Sequence, residues 1–138
     1  MTTYNFDQLD KWAKDVKEAT QNAYAYGLRR MVQDVEVTPG IRRGGARVEG
    51  EIPYDTRALA QSLEIVAGGA VTTGEDAYYA LSAAEIGSAV LISWGNSVVD
   101  YAAAVHYGEG GIPGSYWMTI MAAKWPIYFE EGVARYKL

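Results

Sequence analysis

The 138-residue chain contains one histidine, His106, within "VVDYAAAVHYGEGG" at residues 98–111. A lone imidazole can serve as a general base, a metal ligand or a pH-sensitive group. Each of those roles needs partners, and the sequence is poor in them. A Ser-His-Asp hydrolase would pair His106 with Asp100, but there is no G-x-S-x-G turn to specify a nucleophilic serine. His106 and Glu109 have the spacing of two metal ligands on one helical face, yet Gly108 between them is a helix stop. Two residues do not make a metal site, and with no cysteine and no second histidine no His or Cys remains to complete a zinc-type ligand set. A two-carboxylate glycosidase could draw on Glu85, Asp100 or Glu109, but any acidic chain offers such pairs. "GEGGIPG" starts like a dinucleotide-binding loop, but Pro113 takes the third glycine's place and a helix precedes it. Phosphate-loop and H-E-x-x-H motifs are absent. The expectation is a protein without catalytic residues, metal or cofactor, in which His106 packs and hydrogen-bonds near a helix end. Tyr101, Val105 and Tyr107 are the neighbours expected to hold it.

The elements that would position these residues follow from the hydropathy pattern. Phe6, Leu9, Ala13, Val16, Ala23, Gly27 and Met31 recur at mostly three- and four-residue steps, which predicts one long amphipathic helix to Val35. Thr3 or Asn5 would cap it, and Asp7 and Asp10 suit the positive end of its dipole. "TPGIRRGGARVEGEIP" is too rich in glycine and proline for regular structure, so a mobile arm is expected at about 38–53. Its Arg42, Arg43 and Arg47 read as a docking arm for an acidic patch or phosphate, or else as solvated charge. A short helix restarts after Asp55 or Thr56 and carries Ala58, Leu59 and Leu63. Residues 62–73 then form a first strand, bent or bulged at Gly68-Gly69. Within 76–96, strands are expected on both sides of a turn near Gly87-Ser88. Residues 97–108 return to helix with Ser97 as cap and Gly108 as stop. A terminal helix begins near Ser115, and Pro126 kinks it or starts a second segment. The order implies one α+β domain over 1–138, an antiparallel sheet of about three to four strands with helices packed on one face.

Composition sets limits on partners. Nine basic and nine acidic side chains cancel within residues 1–57, so the three basic and eight acidic ones of 58–138 carry the whole net charge of −5. Tight duplex binding needs a basic face, so sequence-specific nucleic-acid recognition is not expected. No apolar run reaches the ~20 residues of a membrane helix. Eleven tyrosines against two phenylalanines and four tryptophans suit surfaces that are wet in the free chain and buried in a complex.

Three segments together resemble a known family. "IPYDTRALAQSL" looks like the Pro-x-Asp-Thr-Gly-x-Leu-x-x-Ser stretch of phage tail-completion proteins, the neck proteins that join head and tail in long-tailed phages. "ISWGNSVVDYAAAVHYG" resembles their Tyr-Ala-x-x-x-(Glu/His/Asn)-(Tyr/Phe)-Gly signature, and "YWMTIMAAKWPIYFEEGVAR" is similar to their closing helix. The likeness covers about residues 50–135, with Arg57 standing where the family prefers glycine. It implies a non-enzymatic virion protein of the neck, found in host cytoplasm during assembly. Its partners would be further copies in a ring, typically a hexamer, with the head connector or head-closure protein on one side and the tail tube or terminator on the other. A ring needs two complementary surfaces on each subunit. An acidic lumen would let DNA slide by repelling phosphate. Arg42, Arg43, Arg47, Asp55, Thr56, Tyr101, His106 and Tyr107 are the expected interface residues. A tail-terminator or head-closure role is the alternative within that class. A small acidic hydrolase or a Tyr-lined carbohydrate-binding module is the rival outside it.

Overall fold

The computed structural model describes residues 6–35, 52 and 58–137. Its backbone is led by helix α1, Asp7–Val35, which at 29 residues spans ~43 Å. The Phe6 carbonyl accepts the first helical bond, from the Asp10 N–H at 2.9 Å, so Phe6 occupies the N-cap position. Thr3 and Asn5 lie outside the described residues. The apolar stripe splits the helix in two: from Ala23 onwards Ala23, Leu28, Met31, Val32 and Val35 are buried, whereas residues 6–14 are all exposed.

After the short α2 (Ala58–Gln61) the chain forms a three-stranded antiparallel sheet of order β2-β1-β3. Its strands are β1 Glu64–Ala67, β2 Ala70–Thr73 and β3 Val90–Ser93. Two sequence expectations are corrected here. Residues 62–73 are a hairpin rather than one bent strand, because Gly68 and Gly69 take φ of 59° and 79° and close a two-residue turn. Positive φ at both central positions is what the right-handed strand twist asks of such a turn. Residues 76–83 are helical rather than extended: α3 (Glu75–Ala80) runs into a 3-10 turn at Leu81–Ala83. Ala77, Leu81 and Ala84 are each fully buried, a four-then-three spacing that only a helical period brings to one side. The second half of that segment is a strand as expected.

Cross-strand partners share a face. Ile65 and Ala67 turn inward, against the side where α3 packs, while Val71 and Leu91 on the other face stay more than 60% exposed. The helices therefore cover one face of the sheet, and the fold is α+β.

Helix α4 is shorter than expected, Ala102–Tyr107. Ser97 is not its cap. Instead Asn96 Oδ1 accepts the N–H groups of Val98 (2.9 Å) and Val99 (2.8 Å), holding 96–99 in a turn that delays the helix. Gly108 ends it, and a small unforeseen hairpin follows, β4 Gly108–Glu109 against β5 Ile112–Pro113. The terminal helix is two segments, α5 Trp117–Ala123 and α6 Trp125–Tyr136, with Pro126 in the first turn of α6, where its missing N–H costs nothing.

α1 and α6 make the largest contact in the fold and cross at glycines. A Cβ on Gly132 would meet Ala23 backbone, with its Cα and carbonyl carbon at 3.0 Å and its oxygen closer still. Around the crossing, Arg30 pairs with Glu131 (3.2 Å), and the buried Tyr128 hydroxyl donates to Asp34, which also faces Lys124 at 3.8 Å. Burial first, then the Asp34 carboxylate, pushes the Tyr128 hydroxyl pKa well above its ordinary value.

Candidate functional site

Tyr101 flanks the start of helix α4, which carries His106 and Tyr107 to the start of α5, and backbone bonds set the spacing. Ser115 N–H donates to the Val105 carbonyl and Tyr116 N–H to the His106 carbonyl, both at 3.0 Å. The chains pass so closely that a Cβ at Gly114 would lie 2.5 Å from the Tyr107 carbonyl carbon and 2.7 Å from the Gly108 nitrogen. Only glycine fits there. Tyr116 enters α5 at φ 51°, a left-handed conformation that is unfavourable for any side chain but glycine.

His106 is 6% exposed and ringed by Tyr107, Trp117 and Tyr116, with centroid distances of 4.5, 5.1 and 5.5 Å, all edge-on. Its Nε2 accepts the Thr119 N–H at 3.4 Å and lies 3.3 Å from Thr119 Oγ1. Thr119 is the third residue of α5, whose own flanking residue Tyr116 provides no side-chain cap. His106 thus caps a helix from another element, satisfying one of the donors a helix start leaves unpaired. To accept, Nε2 must be unprotonated, which places the neutral ring's proton on Nδ1. Burial holds the His106 pKa below its ordinary 6.5, favouring this neutral form. Among the described residues no carboxylate takes part in the hydrogen bonds of the ring, and Glu85, Asp100 and Glu109 are exposed. Among the described residues no three His, Asp or Glu side chains converge to hold a metal.

Of the expected companions, Tyr107 meets His106 edge-on, but Tyr101 stands 40% exposed a turn and a half back in sequence, without an aromatic contact to it. Tyr116, Trp117 and Thr119 are the partners that sequence reasoning missed. The Tyr-Trp pair immediately after a glycine-rich break was the available signal. Beside them a hollow of about 570 Å³ opens between α4 and α5, lined by Trp94, His106, Tyr107, Trp117, Met118 and Thr119. Ser115 Oγ and Trp117 Nε1 are buried without a hydrogen-bond partner among the described residues. Arg42, Arg43, Arg47, Asp55 and Thr56 lie outside the described residues, as does most of the expected arm at 38–53.

Two larger surfaces are apolar and open. The first is the start of α1, where Phe6, Leu9 and Trp12 are 62%, 55% and 59% exposed. Val133 and Tyr136 near the end of α6, with Lys137 after it, line a groove with Val16, Ala19, Thr20 and Ala23 of α1, whereas residues 6–14 of the first turns are all exposed. The second is the uncovered sheet face with Val71 and Leu91.

Comparison with family models, curated proteins and solved structures finds no match. Among the described residues, no helix is long and apolar enough to cross a membrane.

Proposed function

We propose that the chain is a non-enzymatic structural protein of the phage neck, completing the tail and joining it to the head connector as a ring. The observation that carries this reading is the exposed start of α1. Its stripe of Phe6, Leu9 and Ala13 continues the face that Ala23 and Gly27 bury against α6, yet these three side chains stay exposed, with no described residue packed over them. Leaving large apolar groups in water on a regular face is costly and marks an assembly surface. The open sheet face is a second such surface, and a ring subunit that also meets a connector and a tail needs several distinct ones. The ordered resemblance of three segments to tail-completion proteins supplies the setting: the virion neck, with connector or head-closure protein on one side and tail tube or terminator on the other. His106 supports the reading by its role as a helix cap among aromatic rings. The same surfaces would serve a tail-terminator or head-closure ring.

The test is complementation. A phage lacking this gene is expected to accumulate unjoined heads and tails, and the wild-type chain supplied in trans should restore particles. A Phe6→Ser, Leu9→Ser, Trp12→Ser variant should melt close to wild type, since those side chains are more than half exposed, but fail to restore joining. Infectious, joined particles made without the chain would refute the proposal.

A further inference from the structure

The sheet has two outer strands, and neither has a partner on its outward side among the described residues. Natural edge strands are blunted by charge, proline, bulges or extreme shortness. Here β2 reads Ala-Val-Thr-Thr and β3 reads Val-Leu-Ile-Ser; both are short, but neither carries a charge or a proline. The four cross-strand rows run level over all three strands, as in Val71–Val66–Leu91 and Thr72–Ile65–Ile92.

Hydrogen-bond parity then says how the edges can be used. The two-residue turn closes on Ala67 and Ala70, so Ala67/Ala70 and Ile65/Thr72 exchange bonds on that side of β1. The Gly74 N–H to the Leu63 carbonyl, at 3.2 Å, continues the alternation. Val71 and Thr73 therefore point their N–H and C=O groups away from the sheet. On the other side of β1, Val66/Leu91 and Glu64/Ser93 exchange bonds, leaving those of Val90 and Ile92 outward.

We infer that copies of this chain join by their sheet edges, β2 of one lying parallel to β3 of the next, with Val71 opposite the next copy's Leu91. This deepens the ring reading and rests on it. Head-to-tail repetition requires the parallel sense, because β2 and β3 both run antiparallel to β1. In a parallel pair a residue with outward groups lies opposite one whose groups face away, and opposite residues share a face. Val71 and Leu91 meet both conditions, and the apolar row continues from copy to copy. An antiparallel β2–β3 contact would instead put Val71 opposite Val90 or Ile92, turning one sheet's buried face towards the other's open one. Area argues for a ring over a dimer. A four-residue edge is ~13 Å long and falls well short of the ~800 Å² per partner of a stable pair. A dimer uses one edge of each copy, whereas a closed ring uses both.

The chain has no cysteine, so disulfide trapping is clean. Within one copy, positions 71 and 91 are two strands apart, ~9.5 Å, beyond disulfide reach. Between paired copies they would be ~5 Å apart, within it. Singly substituted Val71→Cys and Leu91→Cys proteins are mixed in equal amounts, oxidised and mapped by peptide mass spectrometry. The expected product is the 71-to-91 linked dimer, well above its share in random mixing, with both homodimers below theirs. Replacing Leu91→Cys by Ile92→Cys, on the opposite face, should lose the link. The doubly substituted chain should give a ladder of oligomers ending at the ring size. Homodimers at or above the random share, equal linking through Ile92→Cys, or no disulfide would overturn edge pairing. Joined particles built from chains whose edges do not link would overturn only this inference, whereas joining without the chain would overturn the neck reading itself.

Discussion

Gly132→Ala separates local from tertiary energetics, because the two predict opposite signs. Within helix α6, alanine should stabilise by ~1 kcal/mol over glycine through backbone entropy alone. The added methyl would face Ala23 backbone on α1, at 3.0 Å from both Cα and carbonyl carbon and nearer to the oxygen. Backbone of a regular helix cannot rotate away as a side chain can, so α6 must retreat. A gap of 0.5–1 Å forfeits about a quarter to a half of each contact's attraction. Overpacking of this kind costs roughly 1–3 kcal/mol, and the rigid neighbour places it at the upper end. The net is a loss of about 2 kcal/mol, or ~6 °C in melting temperature for a chain of this length. Gly27→Ala is the control: its Cβ would sit 3.2 to 3.3 Å from Trp125, Tyr128 and Phe129, a mismatch of tenths of an ångström. There the clash and the propensity gain should nearly cancel. Thermal melts by circular dichroism on both variants decide the matter. A Gly132→Ala protein that melts at or above wild type would refute the close crossing of α1 and α6.

Two further outcomes concern the centre around α5. Because burial lowers the His106 pKa from 6.5, the unfolded chain takes up the proton first as pH falls. His106's contribution should therefore be full above about pH 6.5 and decline below it until the folded-state ring protonates. His106→Gln keeps an acceptor for the Thr119 N–H and should flatten that slope in melts between pH 7 and 5, while His106→Leu should cost ~1–2 kcal/mol at pH 7 by orphaning the donor. An unchanged slope in the glutamine variant would sink the capping role. Ser115→Ala removes a buried hydroxyl that has no partner among the described residues, so it should be neutral or stabilise by up to ~1 kcal/mol, and a clear loss of stability would show that the hydroxyl is satisfied.

Periodicity alone made the long first helix legible, since seven apolar positions at helical steps leave no competing pattern. Strand β3, the stop at Gly108 and the break at Pro126 were legible for similarly local reasons: β-branched runs, a glycine's conformational freedom, a missing N–H. Turn chemistry at Gly68-Gly69 was present in the sequence but reads equally as bulge or hairpin until a partner register exists. Residues 76–83 could form either helix or strand, and burial of Ala77, Leu81 and Ala84 against the sheet and α1 decided it. For His106 the residue type limited the roles to a few, and scarcity of partners argued against chemistry. That its nitrogen caps α5 depended on Gly114 letting two backbones touch, a contact between residues 13 apart that no local pattern encodes. The apolar start of α1 was equally plain as a stripe, but only the packing of the later turns against α6 decided that Ala23 and Gly27 of that stripe are covered while residues 6–14 stay exposed.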